Sequence, residues 1–174
     1  LAKIDSVVVA CGAFHTCVLT VDGDIWSFGG GLHGKLGLGG QENSMIPLKL
    51  PRFQNNARWT QVSCGAWHTL GVMESGVVYA WGYGGHGRLG QSTEIDSSTT
   101  TPKPITLDPQ THKCSGSSTH RFQTLVTKAD ILHQEEGERK DENEPATRII
   151  DVDAGAKHSM YCTSQGHVFS WGSN

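Results

Sequence analysis

One spacing pattern occurs three times in this chain, and it restricts the fold more than any other feature. The copies begin at Val9 (VACGAFHTCVLTVDGDIWSFGGG), Val62 (VSCGAWHTLGVMESGVVYAWGYG) and Val152 (VDAGAKHSMYCTSQGHVFSWGSN). With Gly12, Gly65 and Gly155 as origins, His15, His68 and His158 follow three residues on. Gly23, Gly76 and Gly166 follow eleven residues on, and Gly29, Gly82 and Gly172 seventeen residues on. The first two copies continue into Gly34-Lys35-Leu36-Gly37 and Gly87-Arg88-Leu89-Gly90. Agreement without a gap means that one small unit is reused, and such a unit buries its apolar surface only against its neighbours.

Apolar residues alternate inside each copy. Val62, Cys64, Leu70 and Val72 correspond to Val9, Cys11, Cys17 and Leu19, and to Val152, Ala154, Met160 and Cys162. A period of two marks a strand with one face in a core, and the whole run reads as one strand. Asp22-Gly23, Ser75-Gly76 and Gln165-Gly166 then supply hairpin turns. The return strands, Ile25 to Phe28, Val78 to Trp81 and Val168 to Trp171, are β-branched and aromatic. The 22 glycines among 174 residues are nearly twice the usual share of about 7%, as many short strands and turns require. The expected fold is all-β, with antiparallel blades in series forming a β-propeller. A propeller closes with about four to eight blades, and two and a half copies fall short. The other blades must come from outside this stretch or from further copies. Leu1 and the terminal Trp171 to Asn174 read as cut ends, and unpaired sheet edges would favour self-association.

The repeats are expected at about 1–53, 54–96 and 146–174. Between them, 97–145 reads as a polar and acidic insertion, partly disordered, with a strand or short helix over Phe122 to Leu132. Its residues 134–144, QEEGERKDENE, carry a net charge of −4 against −3 for the whole chain. Neither part has the basic face of a nucleic-acid binder. No apolar run reaches the length of a membrane span. Five cysteines (Cys11, Cys17, Cys64, Cys114 and Cys162) show no short-range disulfide framework, so buried reduced thiols and an intracellular setting, cytoplasmic or nuclear, are expected.

The motifs that suggest chemistry have simpler readings. Gly29 to Gly34 and Gly82 to Gly87 both fit G-x-G-x-x-G, but no helix follows to receive a pyrophosphate, so no cofactor is assigned. Cys11, His15 and Cys17, or Cys64 and His68, could hint at zinc. The third copy has Ala154 in place of the cysteine, and a histidine tying strand to loop by hydrogen bonds explains the pattern better than a metal. No catalytic triad or carboxylate pair is apparent, so no enzymatic activity is assigned. Trp26, Tyr79, Trp81, Phe169 and Trp171 fall at matched strand positions and are expected to pack blade on blade. Trp67 and Lys157 share one variable position with Phe14, and Lys35 and Arg88 share another. These four, Lys35, Trp67, Arg88 and Lys157, are the candidate contacts for a partner.

Cys11-Gly-Ala-Phe-His-Thr16, Cys64-Gly-Ala-Trp-His-Thr69 and Val78 to Gly90 (VYAWGYGGHGRLG) resemble the signature of the regulator of chromosome condensation repeat. That resemblance covers most of the chain outside the insertion. It implies a seven-bladed propeller that works as an interaction platform for another protein. Two alternatives come with the family: nucleotide exchange on a Ran-type small GTPase, and targeting within a larger ubiquitin ligase or other multidomain protein. The motif itself marks the fold and leaves the activity open.

Overall fold

In the computed structural model, residues 6–51, 57–91, 97–105, 123–126 and 148–173 are described. They form three four-stranded antiparallel sheets. The first blade contains β1 (Ser6–Cys11), β2 (His15–Thr20), β3 (Ile25–Gly29) and β4 (Ser44–Lys49), hydrogen-bonded in that order. The second contains β5 (Trp59–Cys64), β6 (His68–Met73), β7 (Val78–Gly82) and β8 (Thr99–Pro104), again in sequence order. The third contains β9 (Gln123–Val126), β10 (Ile149–Ala154), β11 (His158–Thr163) and β12 (Val168–Gly172), in the order β10-β11-β12-β9. These are propeller blades, as the repeat requires.

Two expectations change. The alternating run from Val62 to Val72 is two strands, because the chain reverses at Gly65-Ala66-Trp67 and pairs Cys64 with Thr69. The alternation survives the reversal, which makes the turn hard to see in the sequence. Thr99–Pro104, placed in the insertion by the sequence, is the outer strand of the second blade. Pro102 and Pro104 suit such a position, since an edge strand can give up ladder hydrogen bonds. In the insertion, Gln123–Val126 is a strand paired with β12. It fills the outer slot that β4 and β8 fill in their own blades, although it precedes its blade in the chain. The acidic run, Cys114 and the remainder of Phe122 to Leu132 lie outside the described residues.

Each β2–β3-type turn closes on a left-handed glycine. Gly23, at φ +74°, donates to the Thr20 carbonyl at 2.9 Å, and Gly166, at φ +86°, donates to Thr163 at 2.9 Å. A side chain there would be strained whatever the space around it. The first strand of every blade also carries an irregularity at the same place, between Ser6 and Val8, Trp59 and Gln61, and Ile149 and Asp151.

The core lies between blades rather than within them. Cys17, Leu19, Ile25, Leu50, Trp59, Val62, Cys64, Met73 and Trp81 join the first blade to the second. A second cluster, built around Leu70, Val78, Leu89, Val152, Tyr161 and Trp171, joins the second to the third. Trp81 and Trp171 are buried as expected, and so is Phe169. Trp26 and Tyr79 are only partly buried. Close blade contact also explains Gly12 and Gly65. A Cβ on Gly12 would collide with the Gly65 carbonyl and the His15 ring, and one on Gly65 with the Gly155 carbonyl and the His68 ring.

Candidate functional site

The strand directions bring the β1–β2 turn and the long β3–β4 loop to one end of the blade. Their counterparts in the other blades lie at the same end. Residues 12–14, 30–43, 65–67, 83–91 and 155–157 therefore share one end, and every sequence-predicted contact residue belongs to one of these loops.

Beneath this loop face the histidines connect neighbouring blades. His15 Nε2 is 2.8 Å from Thr69 Oγ1, and the Thr69 hydroxyl donates to the Lys35 carbonyl at 2.8 Å. One blade on, His68 Nε2 is 2.8 Å from Ser159 Oγ, and the Ser159 hydroxyl donates to the Arg88 carbonyl at 2.8 Å. A hydroxyl has one proton to give. Having given it to a carbonyl, it must accept from the imidazole, so this network assigns the N–H to Nε2 in both rings. The sequence reading had these histidines tie strand to loop; they tie blade to blade. Burial pushes the His68 imidazole down to about 3, and the nearby Arg88, His15 and His158 add to the effect. It is neutral at any ordinary pH. His158, whose outer side has no further blade among the described residues, is exposed.

Lys35 and Arg88 are not free contacts, which corrects the sequence expectation. They are 1% and 2% exposed. The Lys35 ammonium donates to the Leu32 carbonyl at 3.1 Å and lies 5.0 Å from the Trp67 ring and 6.0 Å from Phe14. Burial lowers its pKa. Arg88 donates through Nε to Gly85 at 2.8 Å and through Nη1 to Ala156 of the third blade at 2.7 Å, and its guanidinium stacks 4.8 Å from Tyr83. Both cations are held in part by carbonyls and aromatic faces, which offset the cost of burying a charge.

Above them lies an aromatic cluster. Phe14 and Trp67 meet at 4.6 Å, His33 stands edge-on to Trp67 at 5.9 Å, and His33 packs on Tyr83 at 4.5 Å. Phe14 is 55% and Leu32 50% exposed, and Trp67, His33 and Tyr83 are partly buried. Lys157, on the same loop face, is exposed. His33 and His86 hold left-handed backbone at φ 65° and 61° in equivalent loops, an uncommon conformation for a residue with a side chain. Burial, then Lys35 and Arg88, lower the His33 pKa. The sequence reading named Trp67 and Lys157 but missed Phe14, Leu32, His33 and Tyr83. The shared position of Phe14 and Trp67 was the available signal.

The structure also gathers cysteines that the sequence kept apart. His15, Cys17 and Cys64 form one buried group across the first blade boundary, whereas Cys11 is exposed. The Cys17 thiol donates toward Cys64, which draws the Cys64 thiol down to about 6, with help from His15, and pushes Cys17 up.

Residues 22–72 and 75–124 match the family model described as the regulator of chromosome condensation (RCC1) repeat, and a second model of that repeat matches 7–35, 59–88 and 149–174. The chain is 29% identical over 182 residues to the ultraviolet-B receptor UVR8 of Arabidopsis thaliana, covering 95% of this chain and 41% of the receptor. It is 30% identical over 188 residues to the human E3 ubiquitin-protein ligase HERC2, covering 95% of this chain and 4% of the ligase. The chain therefore spans less than half of these relatives. Among solved structures, human WBSCR16 superposes with a TM-score of 0.61 at 21% identity, covering 97% of this chain and 48% of that one. Prp20p of Saccharomyces cerevisiae superposes with a TM-score of 0.59 at 18% identity, covering 99% and 32%. These two likenesses establish the propeller fold. With three blades of matched register and two repeat models along its length, this chain belongs to the regulator of chromosome condensation (RCC1) repeat family.

Proposed function

We propose that this chain is a non-catalytic platform that binds another protein through the loop face carrying Phe14, Leu32, His33, Trp67 and Lys157. The observation that carries this reading is the partly exposed aromatic cluster set over two immobilised cations. Aromatic side chains held rigid by a scaffold lose little entropy on binding and are frequent anchors at protein interfaces. The fixed Lys35 and Arg88 hold the loops without occupying the surface. A receptor and a ubiquitin ligase among the relatives, and a structural neighbour described with its binding to Gsp1p and histones, are consistent with a repeat array used for recognition.

A narrower reading is nucleotide exchange on a Ran-type GTPase. Its support is the likeness in fold to Prp20p, whose structure was described together with its binding to Gsp1p and histones. A third is the targeting domain of a larger ligase, as the similarity to HERC2 suggests. Release of a fluorescent guanine nucleotide from Ran and a panel of small GTPases, catalysed by the full-length protein, separates them. Faster release from one GTPase, lost on Trp67→Ala, selects exchange. No acceleration leaves the general platform, to be tested by comparing partner capture by wild type and by Trp67→Ala.

A further inference from the structure

The first blade boundary contains a sulfur site that the second lacks. Cys17 stands on β2, Cys64 ends β5 and His15 opens β2. One imidazole nitrogen and the two Sγ atoms all lie within 4.8 Å of one another. Cys17 is 0%, His15 3% and Cys64 8% exposed. At the next boundary Leu70 replaces Cys17 and Ala154 replaces Cys64, beside His68, and both are buried in the core. The interface thus closes without sulfur, and the thiol pair is an addition to the framework.

The histidine is oriented as a ligand would be. Its Nε2–H is held by the Thr69 hydroxyl, which is itself fixed on the Lys35 carbonyl. Nδ1 keeps its lone pair and has no hydrogen-bond partner among the described residues. Metal-bound histidines are commonly fixed in this way through the other ring nitrogen. An ion at the usual distances of about 2.3 Å to sulfur and about 2.0 Å to nitrogen would draw these atoms, which lie within 4.8 Å of one another, slightly together by side-chain adjustment.

We propose that His15, Cys17 and Cys64 bind a zinc ion that bridges the first and second blades. Soft thiolates with imidazole favour thiophilic d10 cations. Between these, charge decides. Two thiolates and a neutral imidazole balance a divalent ion, whereas a monovalent one would leave a buried negative charge. Binding releases to solvent whatever protons the two sulfurs still hold and forms two Zn–S bonds and one Zn–N bond, with no change of oxidation state. Three protein ligands leave the fourth tetrahedral position to water.

The test uses reduced, chelator-stripped full-length protein, wild type and the variants Cys17→Leu and Cys64→Ala. These substitutions copy the second boundary, which the fold already accepts. Zinc is titrated against a chromophoric chelator, and cobalt serves as a spectroscopic stand-in. Wild type should take up one equivalent more than either variant and show a thiolate-to-cobalt charge-transfer band that both variants lose. Equal uptake and equal cobalt spectra in all three proteins would overturn the site. So would quantitative oxidation to a Cys17–Cys64 disulfide at the same rate with and without zinc. If one variant fails to fold, His15→Gln supplies the same comparison.

Discussion

His15 Nε2 and Thr69 Oγ1 lie 2.8 Å apart across the boundary between the first two blades, and His68 and Ser159 repeat that contact at the next. The pair joins residues 54 positions apart, with both partners buried. A repeat protein draws its cooperativity from such neighbour contacts, because no blade closes a core alone.

Replacing Thr69 by Val should leave His15 Nε2–H and the Lys35 carbonyl without their partner. Orphaned buried polar groups cost about 1–3 kcal/mol each, so a loss of about that size or somewhat more is expected in chemical denaturation. Thr69→Ser should cost less than about 1 kcal/mol, since Ser159 performs the same task one blade on. A loss from Thr69→Ser that exceeds the loss from Thr69→Val would show that methyl packing, and not the hydroxyl, matters.

Acid should weaken the array through His68. The unfolded imidazole titrates at its ordinary 6.5, while the folded one is held at about 3. Between those values the unfolded chain binds one proton more, so falling pH favours unfolding. The His68 contribution is intact above about pH 6.5 and declines by about 1.4 kcal/mol per pH unit as the pH falls toward 3. Urea unfolding from neutral pH to about pH 5 should therefore be steeper in wild type than in His68→Gln. Parallel pH profiles would remove His68 from the account.

Arg88→Lys should destabilise by about 1–2 kcal/mol despite keeping the charge. Lysine cannot donate at once to Gly85 and to Ala156 across the boundary, as the guanidinium does. Lys35→Met should be nearly neutral, within about 1 kcal/mol, because an apolar side chain of similar volume can replace a buried cation. Thermal unfolding of the two variants compares them directly.

Much of this architecture was legible because turn and contact residues recur at fixed spacings. Gly23 and His15 announce themselves wherever the unit recurs. The outer strands did not: Ser44–Lys49 and Thr99–Pro104 contain prolines and no alternation, and edge position rather than pattern makes them strands. Lys35 and Arg88 look like solvated loop charges in the sequence. What buries them, Trp67 and Ala156, belongs to the next repeat, a non-local fact. The sulfur group was hidden for the same reason. Reading each copy alone joins Cys64 to His68, whereas the fold joins Cys64 to His15 and Cys17 of the preceding copy.

The central claim is that one end of the blades is the binding face. A photo-crosslinking amino acid placed at position 67, and separately at Val21 in the β2–β3 turn on the opposite end, tests it in the full-length protein in its own cells. The account predicts a discrete crosslinked protein from position 67 and none from position 21. Crosslinks of equal yield from both positions, or from position 21 alone, would contradict it.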